Sequence, residues 1–517
     1  MLRTVQTENG IVWGIPAADP RITAFKGIPF ARPPVGDRRW RAPEPAESWE
    51  GIRDCSRFAP ISMQERPGGN PANLYDREWH VDPEIEMSED CLYLNVWTPA
   101  RTGEEKYPVM VWFFGGGFNC GYTAEMEFDG ERIARRNVIL VSVNYRVGVF
   151  GFLTHPELME EEPEGCYGNY GMLDQRAGLE WVHRNIARFG GDPENVTIFG
   201  QSAGAGSVIN QLTSPMNADL RLFQKAIFQS GGGLRAYGQG NAMVKLEAAK
   251  QNGINFFSEN GIENLRQARQ LDAQTLCRMG KEFGSMAVWA PTVDGRFLTE
   301  DPSDALAYGR YPDIPLLFGC TGGEYELHGK PAPETMEELR QFAREKFRED
   351  ADAFLKLCRV QTDGQVKELC YRDDAFKGRF MNNILFLWQR VQAGHTGNYM
   401  YYFNPEIPGW DHPGAFHSSE LWFVFETLAK CWRPFTGEHY DLARKICNYW
   451  TNFARTGDPN GTDQDGSRLP EWKSADREEP FILFLGEKYI GRYENCMTEL
   501  TKFRIGYVFD KVLKKRG

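Results

Sequence analysis

Short, strongly apolar runs recur along the chain, each closed by glycine or a polar turn. They are YPVMVWFF (107–114), VILVSVNY (138–145), NVTIFG (195–200), KAIFQSG (225–231), IPLLFGC (314–320) and NYMYYF (398–403). β-Branched and aromatic residues dominate them and polar residues hardly alternate. That pattern predicts strands buried on both faces, as in a parallel sheet covered by helices. Between them, GMLDQRAGLEWVHRNIARFG (171–190) repeats apolar residues at three- and four-residue spacings and runs into Gly190-Gly191, a helix stop. A second helix is predicted from Ser202 through SVINQLT. Strand–helix alternation of this kind gives an α/β sheet with functional loops at the strand C-termini. Residues 232–290 and 330–395 break the alternation: they are polar and helix-like, and are expected to be helical insertions over one end of the sheet.

Composition narrows the function. Of 517 residues, 41% are hydrophobic and 25% charged, which excludes a disordered chain. Lys+Arg 59 against Asp+Glu 71 leaves a net charge of −12, which argues against a partner made of nucleic acid or anionic lipid. No apolar run approaches the roughly 20 residues that span a bilayer, and the N-terminal residues lack a signal-peptide core. The 11 cysteines are odd in number with no CxxC pair, so no metal site is read from them. A reducing cytoplasm is the expected compartment. The 14 Trp, 20 Tyr and 34 Phe suit a deep core, an aromatic-lined pocket, or both.

The chemistry begins at Gly200-Gln201-Ser202-Ala203-Gly204. This is G-x-S-x-G between a predicted strand and a predicted helix, a turn so tight that its serine projects from the apex. Gly115-Gly116-Gly117-Phe118 follows directly on the 107–114 strand. Its glycines can bring bare backbone N–H groups close to a substrate oxyanion. Gly116, Gly117 and Ala203 are the expected donors. A base and an acid should follow the serine in the chain. Among His328, His395, His412, His417 and His439, position favours His417, in GAFHSSELWFVF, with His412 second. For the acid, Glu324 follows a buried strand and a glycine pair, with Glu326 competing.

These residues resemble the carboxylesterase/cholinesterase (type-B carboxylesterase) family of α/β-hydrolases, in a bacterial-type member. The likeness runs from about residue 10 to the 480s and rests on FKGIPFARPPVGDRRWRAPEP (25–45), SEDCLYLNVWTP (88–99), GGGF (115–118), the 168–208 block and YWTNFARTGDPN (449–460). It implies one α/β-hydrolase domain over 1–517, a central, mostly parallel sheet flanked by helices. Insertions at about 66–86, 232–290 and 330–395 would cap and shape the active-site entrance. It places the nucleophile on Ser202, the acid on Glu324 and the base on His417, with Ser230 supporting them. The acid block usually reads G-x-x-x-D-E-G, whereas here Gly323 and Tyr325 flank Glu324. In secreted relatives the cysteine at Cys91 pairs with one upstream. Here Ser62 stands near that place, so Cys91 is expected to be a free buried thiol. A choline-binding Trp has no counterpart in register: its place falls near Val81, and Trp79 is displaced.

The expected function is therefore hydrolysis of small-molecule carboxylic esters through an acyl-enzyme, with no cofactor. Phe118, Trp289, Trp422 and Phe423 are the pocket candidates, each with an alternative reading as a core aromatic. A specialised hydroxycinnamoyl-type esterase or a lactone-opening hydrolase is the runner-up. A non-catalytic adhesion relative is disfavoured, because Ser202, Glu324 and His417 are all present.

Overall fold

The computed structural model describes residues 1–65, 72–78, 84–218, 221–234, 244–284, 288–324, 332–476, 480–494 and 496–514. Tyr325, Glu326, His328, Trp79 and Val81 lie outside them, as do parts of the 66–86, 232–290 and 330–395 stretches. Internal contacts divide the chain into two units. The first is Met1–Phe228, Met243–Pro302 and Leu421–Leu469; the second is Gln229–Ala242, Ser303–Glu420 and Pro470–Gly517.

In the first unit the strands lie in the order Ile15–Pro16, Thr23–Pro29, Tyr93–Thr98, Ile139–Val143, Tyr107–Phe113, Gly191–Gln201, Lys225–Gln229. Tyr107–Phe113 pairs parallel with Ile139–Val143 on one side and Gly191–Gln201 on the other. Tyr93–Thr98 and Thr23–Pro29 add to this core antiparallel, so the sheet is mixed. Every residue of Pro108–Phe113 and Ile139–Val143 is buried, as the unalternating apolar runs require. Trp112 anchors one face, with its ring centroid 4.8 Å from Phe199, 5.0 Å from Phe128 and 5.1 Å from Phe425. The helix Tyr170–Asn185 tightens into a 3-10 turn at Ile186–Phe189 and stops at Gly190, whose φ of 81° is left-handed. The predicted second helix is Ala203–Thr213. Within 232–290 the described residues hold the helices Leu246–Glu259, Leu265–Gln270 and Ala273–Glu282, and a two-residue strand, Val244–Lys245.

In the second unit Leu316–Thr321, Asn398–Phe403 and Ile482–Leu485 run parallel, and Ile490–Arg492 closes them antiparallel. The 330–395 stretch contributes four helices among its described residues: Met336–Phe347, Ala351–Cys358, Asp363–Arg372 and Gly378–Ala393. Phe347 and Phe354 pack ring on ring at 4.3 Å, and Phe354 meets Phe503 at 5.7 Å, so aromatic contacts hold these helices to the C-terminal helix Glu499–Tyr507. All 11 cysteines are free thiols, and Cys91 is fully buried. No described helix is long and apolar enough to cross a membrane.

Candidate active site

The first unit carries Ser202 at the apex of the turn between Gly191–Gln201 and Ala203–Thr213. Its φ of 57° and ψ of −121° lie outside the regions an L-residue prefers, a strain worth about 1–3 kcal/mol that the surrounding structure must hold. The flanking glycines have a steric reason. A Cβ on Gly200 would lie 2.4 Å from the Gly204 carbonyl, and one on Gly204 would lie 2.0 Å from the Phe113 carbonyl oxygen. Both contacts are with backbone, which cannot swing aside.

The glycine loop lies against the same turn. A Cβ on Gly115 would come within 2.8 Å of the Gln201 carbonyl oxygen and 3.2 Å of the Ser202 Cβ. Gly116 takes a φ of 107°, and its carbonyl accepts the amides of Asn119 at 3.0 Å and Cys120 at 3.1 Å. Around it, the Tyr145 hydroxyl donates to the Phe114 carbonyl at 2.8 Å. The Gln64 amide holds Gly121 from both sides, donating at 3.0 Å and accepting at 2.8 Å. Ala203 is the first helical residue, and amides in a first turn have no acceptor within the helix. Phe118, Trp289 and Ala203 belong to one buried apolar cluster, in which Phe118 meets Phe152 at 5.4 Å and Trp289 meets Phe256 at 5.2 Å. The Trp289 indole N–H donates to the Gly280 carbonyl at 2.7 Å. Trp422 and Phe423 are also buried in this unit, Phe423 against Phe435 at 5.6 Å.

The second unit carries Glu324 and His417. Glu324 follows the strand Leu316–Thr321 after two glycines. Gly323 pairs with Phe416 in an isolated bridge, and its amide donates to the Ala415 carbonyl at 2.8 Å. A Cβ there would lie 2.9 Å from that carbonyl oxygen, so the Gly323 that departs from the usual acid block lets the two chains touch. The result is a hydrogen bond of 2.6 Å between His417 Nδ1 and Glu324 Oε2, with both residues about 5% exposed. Ionised, the carboxylate accepts from Nδ1–H and leaves the Nε2 lone pair available. Burial alone would raise the Glu324 carboxyl. The charges of His417 and Arg379, with hydrogen bonds from His417 and Ser230, outweigh it and hold the group down at about 2.

Two further side chains join this cluster. Arg379 Nε lies 3.0 Å from Glu324 Oε2. The Ser230 hydroxyl, on a residue with a φ of 53°, donates to Glu420 Oε1 at 3.3 Å. Burial, followed by the charge of Glu324, pushes Glu420 up to about 8. Glu420 stands three residues after His417 in a block whose glutamate invites no separate reading. Arg379 sits in a polar helical stretch where nothing marks one arginine among several.

Three other candidate histidines are among the described residues. His395 Nδ1 pairs with Asp313 at 2.6 Å, His439 caps the helix Gly437–Thr456 against Thr436, and His412 is exposed. Among the described residues, no group of three or more His, Cys, Asp or Glu side chains is arranged to hold a metal ion.

A sequence model described as the Carboxylesterase family matches residues 2–499. The chain belongs to the carboxylesterase family. Curated relatives agree across nearly the whole length. The chain is 35% identical over 492 residues to "Fumonisin B1 esterase" of Sphingopyxis macrogoltabida, covering 92% of this chain and 85% of that one. It is 33% identical over 529 residues to "Cocaine esterase" of Homo sapiens, covering 95% and 89%. It is 32% identical over 511 residues to "Cholinesterase" of Mus musculus, covering 92% and 82%. As a carboxylesterase the chain has the α/β-hydrolase fold and is a carboxylic ester hydrolase acting on small-molecule esters.

Proposed function

We propose that the protein is a serine esterase in which Ser202 is the nucleophile, His417 the general base and Glu324 the acid that orients it. His417 accepts the Ser202 proton as the hydroxyl attacks the ester carbonyl. The amides of Gly116, Gly117 and Ala203 receive the oxyanion, each such donor being worth about 3–4 kcal/mol in the transition state. Glu324 fixes the tautomer that leaves Nε2 free and stabilises the imidazolium. His417 then protonates the departing alcohol, and water releases the acid from the acyl-enzyme. Ser230 supports the acid from the end of its strand, and Phe118 and Trp289 form apolar wall beside Ala203. The observation that carries this reading is the buried 2.6 Å hydrogen bond between His417 and Glu324, which orients the imidazole through Nδ1 and leaves Nε2 for the serine. The test is hydrolysis of short p-nitrophenyl acyl esters and of a panel varied in acyl length and alcohol bulk. Ser202→Ala is expected to lower turnover by at least about 10⁴-fold with the fold intact. Turnover near the parent's in that variant would refute the assignment.

A further inference from the structure

Two carboxylates lie buried within reach of Ser230, and only one of them serves the histidine. Glu324 bonds His417 at 2.6 Å, while Glu420, 1% exposed, takes the Ser230 hydroxyl at 3.3 Å. Two like charges so close in a dry site cannot both be carried cheaply, so something must decide which one ionises. Two groups favour the charge on Glu324 over Glu420: the imidazole of His417 and the permanent cation of Arg379. Arg379 Nε meets Glu324 Oε2, the same oxygen that His417 uses, at 3.0 Å. Its Nη1 donates to the carbonyl of Ser230 and lies 3.5 Å from that of Gly231. The guanidinium therefore ties the carboxylate to the strand end that carries Ser230. Arg379 is also the second residue of the helix Gly378–Ala393. A cation in a first turn opposes the helix dipole, so this placement needs compensation, and Glu324 supplies it.

We infer that Arg379 is a positioning residue of the ester hydrolysis, clamping the Glu324 carboxylate against His417 and offsetting part of its charge. This inference rests on the proposed roles of Ser202, His417 and Glu324. Two effects follow. The clamp keeps one rotamer of the acid, so the imidazole is aligned before substrate arrives. The cation also offsets part of the Glu324 charge, so removing it would strengthen the pull of that carboxylate on the imidazolium. The other titratable and charged groups facing this cluster are Glu420, Cys320 and Tyr401, with Lys377 and Asp374 acting on Cys320 from the turn before the helix. Glu420 and Cys320 are protonated in the working range, pushed up by burial first, so neither provides the offset.

The experiment is the pH profile of kcat/KM on a p-nitrophenyl ester for the full-length parent, Arg379→Gln, Arg379→Met and Arg379→Lys, with His417→Ala as control. The acid limb is expected to move up by about one pH unit in the Gln and Met variants. Their kcat should fall about tenfold with KM little changed. Arg379→Lys keeps the charge and should keep the acid limb where the parent has it, even with kcat reduced by the lost fork. A structural role alone would lower kcat without moving the limb. An acid limb that stays put or moves down in both neutral variants overturns the inference, as does a Lys variant that shifts as far as Gln. An active His417→Ala removes the underlying reading and this inference with it. An inactive His417→Ala beside unshifted Arg379 variants removes this inference alone.

Discussion

Glu420→Gln should stabilise the protein, and by an amount that depends on pH in one direction. Glu420 is 1% exposed, and burial followed by the charge of Glu324 raises it from its ordinary 4.5 to about 8. In the unfolded chain it ionises near its ordinary value. Between pH 4.5 and 8 the unfolded state therefore holds fewer protons at this site than the native state. Linkage then makes stability fall as pH rises, by about 1.4 kcal/mol per pH unit. Below pH 4.5 both states are protonated and the site contributes nothing. Above about 8 both are ionised and the loss is complete. The whole interval amounts to a few kcal/mol, about 5 at most, against a typical net stability of about 5–15 kcal/mol. Glutamine keeps the shape of the neutral acid and can still accept the Ser230 hydroxyl, but it cannot ionise in the unfolded chain. Urea unfolding of parent and variant at pH 5, 6, 7 and 8 measures the difference. It should be small at pH 5 and widen steadily in favour of the variant up to about pH 8. A difference constant across this range, or a variant that loses ground as pH rises, would refute the picture of Glu420 as a buried neutral acid.

Other consequences are simpler. Gly204→Ala puts a methyl 2.0 Å from the Phe113 carbonyl oxygen, so the turn bearing Ser202 must move; a loss of about 3 kcal/mol in a thermal melt is expected, with turnover reduced by more than that stability loss explains. Glu324→Gln should cost about 10⁴-fold in kcat, because the amide no longer selects the Nδ1–H tautomer. It should also flatten the acid end of the stability curve: Glu324, held down at about 2, adds stability above pH 4.5 that disappears as pH falls toward 2.

What the sequence discloses depends on whether backbone or side chain sets the requirement. The G-x-S-x-G turn is legible because its glycines answer to backbone atoms, the Gly204 carbonyl within the turn and the Phe113 carbonyl on the neighbouring strand. Any sequence building that turn must show them. The doubly buried strands 107–113 and 139–143 are legible for the same kind of reason, since sheet burial on both faces strongly favours apolar residues. Thr23–Pro29 and Tyr93–Thr98 are not among the predicted strands. The first carries Lys26, Gly27 and Pro29 and shifts register between Phe25 and Ile28, which breaks up the apolar run. Ile482–Leu485 is only four residues long.

The cluster around Glu324 shows the opposite limit. Gly323 departs from the usual acid block, and on sequence alone that departure weakens the case for Glu324. Against the chain at Ala415 it has a cause, because a side chain at 323 would press on a carbonyl oxygen 2.9 Å away. Arg379 is hidden more thoroughly. It stands 55 positions after Glu324 (379 − 324), on a helix that also buries Asn382, Asn383, Gln389 and Arg390, and only the fold brings its guanidinium onto the carboxylate that His417 uses. A charge that acts through position leaves no periodic trace, since one cation at one helix start satisfies the need. Features set by local backbone geometry are therefore written in the sequence where they occur. The electrostatic settings of the acid and its neutral neighbour are distributed among Arg379, Ser230 and Glu420, and they become readable as a set only when the second unit is assembled.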